Sequence, residues 1–431
     1  MNGIFFAIVL IAFLSTCWHN ITWVPVEGQA PPMEALSKAI IDSAAGSVEL
    51  ALGLIGVMTL FLGLMKVAEE GGMLTILARL IRPLMVRLFP NVPADHPAMG
   101  SMILNISANT LGLGNAATPF GIRAMQDLNK LNPTPGTATD AMVLFLAINT
   151  SSVTLLPTGV IALRAAAGSA DPAGILSTTL FATTCSTIVA VIAAKLYGRF
   201  IFRKPIEANQ TGYSDEVQNS GNQNDQSKEA AKGYPYWVTL VALSAIMACI
   251  PLTIFYGRLV SPWIIPGLMV GFLGFGVIRR VRVYEVFVEG AKEGFQVAIK
   301  IIPYLVAILV AVGMFRASGA LEAMVNVIGA WTGRIGMPAE ALPMALLRPL
   351  SGSGAYGILA SVINDPAIGP DSYTGYLVST LQGSTETTFY VLAVYFGAVQ
   401  IRRIRHALAA ALTADLAGVM AAVVICSLLY G

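Results

Sequence analysis

One glutamate, Glu386, sits in the middle of an otherwise uncharged apolar stretch, "YLVSTLQGSTETTFYVL" (376–392). A carboxylate in such a segment is costly unless paired or hydrated, which points to function. Ser384, Thr385, Thr387 and Thr388 beside it offer hydroxyl partners. It could hydrogen-bond a solute or titrate as a proton-coupling site; a structural salt bridge is the alternative. Arg348 is the natural partner, next to Pro349 and the "SGSG" run that carries Ser351 and Ser353. The two charges would neutralise each other, or Arg348 would hold an anionic group of the solute. An uncharged set precedes them: Asn105, Asn109 and Asn115 in "NISANTLGLGNAATPFG" (105–121), and Asn149, Thr150 and Ser151 in "LFLAINTSSVTLLPTG" (144–159). Amides and hydroxyls beside exposed helix N-termini can bind a polar solute or a cation. The plainer use of each is to cap a helix end.

The chain around these residues is built for lipid. Of its 431 residues 55% are apolar and only 12% charged, with a mean hydropathy of +0.71. Soluble domains carry about 25% charged residues, so there is too little charge for a polar shell. The expected fold is all-α, a polytopic membrane protein. The net charge of +2 and the absence of a basic, aromatic-interleaved cluster give no reason to expect nucleic acid. Cys17, Cys185, Cys249 and Cys426 lie far apart in apolar runs and read as small hydrophobes, while His19, His96 and His406 are isolated. No metal, cofactor or catalytic residue is expected.

Apolar runs near 2–23, 46–66, 140–163, 174–200, 235–257, 260–278, 295–315, 373–399 and 407–429 are each about the length that crosses a bilayer. That is about nine transmembrane helices. The first has no basic flank or cleavage-site pattern and reads as a retained helix. Lys and Arg cluster after the second, fourth, sixth and eighth runs, which places those loops in the cytoplasm. The sides agree only if 97–122 and 342–363, broken by Gly, Pro, Asn and Ser, enter and leave on one side. Both are expected to be re-entrant hairpins. "MLTILARLIRPLMVRLF" (73–89) reads as an amphipathic interfacial helix, and "GLMVG" (267–271) fits a helix-packing motif.

The order span, interfacial helix, broken hairpin, span with a polar middle occurs twice, and the charge-derived sides make the copies inverted. Residues 1–204 form the first repeat and 234–431 the second. The polar stretch 205–233 between them has no apolar periodicity and reads as a disordered cytoplasmic linker. Irregular backbone at membrane depth is tolerated where protein buries it or water borders it. The polar segments should therefore face one another across a central cavity. "GLGNAA" follows no strand and is not a dinucleotide loop; "SGSGAYG" has no histidine with a carboxylate partner near it.

"NTLGLGNAATPFGIRAM" with "NTSSVTLLPTG" resembles the spore maturation A family, and "RPLSGSGAYGI" with "GYLVSTLQGSTETTFYVLAVYFGAV" resembles the spore maturation B family. The chain looks like a fusion of the two, both in the nucleoside-recognition (Gate) group. That group is related to concentrative nucleoside transporters and to the membrane part of the ferrous iron transporter. "QGSTETTF" is similar to the nucleobase-binding segment of nucleoside transporters, although its Gln precedes the Gly and a Ser intervenes. By that match Thr385 and Glu386 would contact the solute. No GxxxxGKS sequence is present, so the resemblance brings no nucleotide-powered step. It implies a multi-pass protein of the bacterial inner (plasma) membrane, a secondary transporter of a small polar solute, nucleoside-like in the first instance. A coupling cation or proton is its expected partner, and homo-oligomerisation is left open. The alternative is a non-transporting scaffold or regulator of envelope or spore-maturation processes.

Overall fold

The computed structural model describes residues 2–25, 30–200, 233–320 and 332–431, with Glu322, Ala323 and Val327 between the last two segments. Apart from Gly233, the expected linker lies outside the described residues. Helices α1 (Asn2–Ile21), α2 (Pro32–Glu70) and α3 (Met73–Leu88) come first. The hairpin α4 (Pro97–Thr110) and α5 (Gly114–Lys130) follows, then α6 (Asp140–Thr150), α7 (Thr158–Ala166) and α8 (Ile175–Phe200). Two long helices, α9 (Tyr236–Ile278) and α10 (Val283–Ala317), lead to α11 (Leu342–Leu347) and α12 (Gly352–Ile363). The chain closes with α13 (Tyr373–Ser384), α14 (Thr388–Ala398) and α15 (Ala407–Tyr430). Among the described residues there is no strand, only an isolated bridge between Thr137 and Arg403.

Among the described helices the order after α3 repeats after α10: a helical hairpin, a pair of half-length helices, then one long helix. Counterparts pack on each other, α2 along α10 and α8 along α15. The apolar runs 140–163 and 373–399, expected as continuous spans, are broken at 151–157 and 385–387. The physical cause is local. Ser151 and Ser152 turn their hydroxyls onto the carbonyls of Ala147 and Asn149, at 2.8 and 3.4 Å, and Pro157 has no N–H to continue a helix. In contrast, the runs 235–257 and 260–278 are one helix of 43 residues. Among the described residues two helices, α8 and α15, are long and apolar enough to cross a bilayer.

The two broken helices run antiparallel. Ala138 N–H donates to Arg403 O at 3.0 Å, tying the start of α6 to the segment after α14. At the other end Arg164 of α7 reaches Pro370 and Asp371, just before α13. Midway, Glu386 N–H donates to Thr150 O at 2.8 Å. Two apolar cores follow from this crossing. The first joins the α4–α5 hairpin and α6 to α14; the second joins α12 and α13 to α7. Each core thus mixes elements from both halves of the chain.

Close helix approach occurs at "GAKEG" (290–294) rather than at "GLMVG". Gly267 and Gly271 face open space, whereas a Cβ on Gly294 would lie 2.8 Å from Met58 O and from Thr59 Cα. Gly294→Leu is expected to force α10 from α2 and cost on the order of 1–3 kcal/mol, read as a lower melting temperature. Gly267→Leu should leave it unchanged.

The entry to α4 carries a pH-sensitive cap. His96 Nδ1 accepts from Ala98 N–H at 3.1 Å, so the cap needs this nitrogen unprotonated. Burial pushes the imidazole below its ordinary value of 6.5, against the opposing pull of Asp127. The folded state therefore binds this proton less readily than the unfolded chain. Its contribution is complete above 6.5 and is lost as pH falls below that value. Melting temperature should drop less steeply below pH 6.5 in His96→Asn, which keeps a capping oxygen.

Candidate functional site

Four irregular segments converge: the hairpin turns 111–113 and 348–351 and the breaks 151–157 and 385–387. Leu155 N–H donates to Thr110 O at 2.9 Å and Phe389 N–H to Pro349 O at 3.1 Å, so the end of α4 is bonded to the break at 151–157 and the turn 348–351 to the first turn of α14. The Glu386–Thr150 bond then joins the breaks. These three bonds pair backbone groups that the helices leave free, as an enclosed location favours.

Arg348 organises this meeting point. Its guanidinium is buried, donating from Nε to Gln382 O at 2.9 Å and from Nη1 to Thr387 Oγ1 at 3.0 Å. The first bond caps the C-terminal turn of α13, where a cation is favoured. Nη2 faces Glu386 Oε2 at 3.6 Å. Glu386 itself is half exposed and opens into a cavity of about 360 Å³. Arg348, Gln382, Asn109, Gly112, Thr154 and Thr158 line it with Glu386, while α2 and α10 supply an apolar wall and three charges, Lys66, Glu69 and Glu293. Counting these with Arg348 and Glu386, carboxylates outnumber cations by one. That surface favours a solute rich in hydrogen-bond donors over an anion.

The expected residues divide in two. Glu386, Arg348 and Asn109 line the cavity. Asn109 donates to Asn149 Oδ1 at 2.9 Å, Asn149 also accepts from Tyr395 at 3.3 Å, and Tyr395 accepts from Asn105 at 3.1 Å. Asn105 and Asn149 are thus fully buried behind Asn109 and hold it. The others act on backbone: Thr150 and Ser151 donate to Ala147 O, Ser384 to Leu381 O, and Ser351 caps α12 by accepting from Gly354 N–H. Ser353, half-buried in the first turn of α12, and Thr385, packed on Gly418, are not among the cavity lining. The Asn115 side chain lies outside the described residues. The hydroxyls expected around Glu386 serve other groups: Thr387 accepts from Arg348, and Thr388 donates to Asp415.

Sequence reasoning passed over Gln382, Tyr395, Arg164 and Asp415. The last two had a usable signal, a single charge in an apolar run. Arg164 is fully buried, donating to Pro370 O, Ser379, Ser169, Asp171 O and Asp371 at 2.6–3.3 Å. Its guanidinium also lies 4.2 Å over the Tyr376 ring. The opposite end has a reciprocal pair, Arg405 with Asp140 at 2.7 Å.

An all-helical bundle with paired helical hairpins, two broken helices and a mixed-charge cavity at their crossing defines the class of fold. The chain belongs to the Gate family, described as nucleoside recognition, whose model matches residues 51–167 and 298–402, about half of the sequence. It is 50% identical to spore maturation protein B of Bacillus subtilis over 167 residues, 39% of this chain and 93% of that protein. It is 44% identical to spore maturation protein A of the same organism over 165 residues, 38% of this chain and 84% of that protein. An outward-facing structure of CNTnw aligns over 99% of this chain and 92% of its own, at 14% identity and a TM-score of 0.42.

Proposed function

We propose that the protein is a multi-pass inner-membrane secondary transporter that binds a small polar solute, nucleoside-like in the first instance, in the cavity at Arg348 and Glu386. The observation that carries this reading is the convergence of four irregular segments on a cavity with a half-exposed carboxylate. Helix lengths support membrane placement of the hairpins. The 14 residues of α4 and 12 of α12 reach only about 20 Å, against about 30 Å of hydrocarbon. Each hairpin would enter and leave on one side, one from the cytoplasm and one from outside. The antiparallel broken helices support inverted repeats, 1–204 and 234–431, and alternating access would open the cavity to each side in turn. The family description supports a nucleoside-like solute, and the excess of carboxylates in the lining supports a donor-rich one. The chain carries out no chemical conversion in this reading.

The second reading, a membrane scaffold or regulator, is supported by the names of the two spore maturation relatives. Reconstitution into vesicles separates the two. A transporter moves a radiolabelled nucleoside or other polar solute down its gradient faster than protein-free vesicles, and Glu386→Gln slows that flux. Vesicles no leakier than controls to every solute tested would contradict transport and leave the scaffold.

A further inference from the structure

A second carboxylate lies behind the cavity. Asp415, midway along α15, is 4% exposed, accepts from Thr388 Oγ1 at 2.6 Å through Oδ2, and leaves Oδ1 without a partner. Thr388 begins α14 immediately after the break, next to the Thr387 that accepts from Arg348. The helices packed on α15 bring little else. From α8, Ser186 donates its hydroxyl to Ala414 O at 2.8 Å. The charges of α8 are Lys195 and Arg199 near its C-terminal end; that of α6 is Asp140, paired with Arg405; α13 and α14 have none. The other titratable groups on α8, α13 and α14 are Cys185 and tyrosines, ordinarily neutral near pH 7. The cation on the other side of the Thr387–Thr388 pair is Arg348, which already faces Glu386.

Arg348 thus faces Glu386 directly and Asp415 only across the adjacent Thr387 and Thr388. Glu386 is half exposed to the cavity, whereas Asp415 is enclosed with one donor. An ionised oxygen left unpaired in a dry interior costs far more than a neutral carbonyl oxygen left unpaired. No group of three or more His, Cys, Asp or Glu is gathered among the described residues to hold a transition metal, and an alkali cation on hydroxyl and carbonyl oxygens is the competing occupant that the test below separates from a proton. Resting on the solute-binding reading above, we infer that Asp415 is a proton-binding site coupled to the break at 385–387. In this conformation its carboxyl is protonated. Loss of that proton to cavity water leaves a carboxylate that draws Arg348 from Glu386 and from its bonds to Thr387 and Gln382 O, loosening the hairpin turn from the break.

Infrared spectroscopy of the purified full-length protein at neutral pH tests this without any solute. The expected result is a protonated-carboxyl band that shifts with isotope-labelled aspartate, disappears in Asp415→Asn and persists in Glu386→Gln. Asp127, the other buried aspartate among the described residues, is ion-paired with Lys130 at 2.9 Å. If Asp415→Asn fails to fold, the isotope shift in wild type and a displaced band in Thr388→Val decide the matter. Absence of the band, or its survival in Asp415→Asn, overturns the proposal, as does a sodium-dependent stabilisation that Asp415→Asn abolishes. A solute that binds a protein lacking the band overturns only the proton site; a band with no solute found leaves the proton site and removes the transport reading.

Discussion

Arg164→Met is expected to lower stability by about 3 kcal/mol, because a fully buried guanidinium that donates five hydrogen bonds is lost, each worth about 1.5–3 kcal/mol at most, while its ionic partner Asp371 is 36% exposed and adds little. Methionine replaces the apolar stem but none of the donors. Without the guanidinium, Pro370 O, Asp171 O, Ser169, Ser379 and Asp371 lose a shared partner. This clasp joins the end of α7 to the start of α13, so its loss frees one end of both broken helices. The reciprocal variant, Arg405→Met, should cost only about 0–1 kcal/mol, because its partner Asp140 is 60% exposed. Urea unfolding of the two variants in one detergent measures the contrast. Equal effects would mean that the two ends are held by packing rather than by these ions.

Arg348→Ala carries the second large effect. It removes two hydrogen bonds from a charged donor, each worth about 1.5–3 kcal/mol, and its pairing with Glu386. A loss of about 3 kcal/mol is expected, with solute binding abolished. Arg348→Lys should rescue little, since an ammonium cannot reproduce a planar fork aimed at Gln382 O, Thr387 and Glu386 at once. A double-mutant cycle with Glu386→Gln should give a coupling below about 1 kcal/mol, because the ions are 3.6 Å apart and one is half exposed. The stabilising work of Arg348 thus lies in its bonds to the break, and Glu386 stays available to a solute. A coupling of several kcal/mol would make the pair structural.

Much of this arrangement was legible in the sequence because lipid makes polar residues conspicuous. Glu386, Arg348 and the Asn-rich segment stood out against apolar surroundings, and their convergence followed from the need to shield irregular backbone. The amphipathic stretch 73–89 is α3 to within one residue. What failed was finer. A run of apolar residues such as 140–163 does not reveal whether its serines continue the helix or turn onto its carbonyls, so the sequence alone reads as one span across the break at 151–157. Individual hydroxyls near Glu386 could not be assigned, since Thr387 and Thr388 point to partners far away in sequence, Arg348 and Asp415. Glycine motifs misled for the same reason: spacing alone made 267–271 look like a packing face, and only the partner helix singles out 290–294.

The central claim is that the cavity at Arg348 and Glu386 binds a polar solute. Its most direct test is thermal stability of the purified protein against nucleosides, nucleobases, metal ions and small osmolytes, in wild type, Glu386→Gln and Arg348→Ala. A solute at a hundred times its dissociation constant stabilises by about 2.7 kcal/mol. Wild type is expected to show such a shift with a donor-rich solute, and both variants to lose it. No shift with any compound, or one that Glu386→Gln leaves intact, would contradict it.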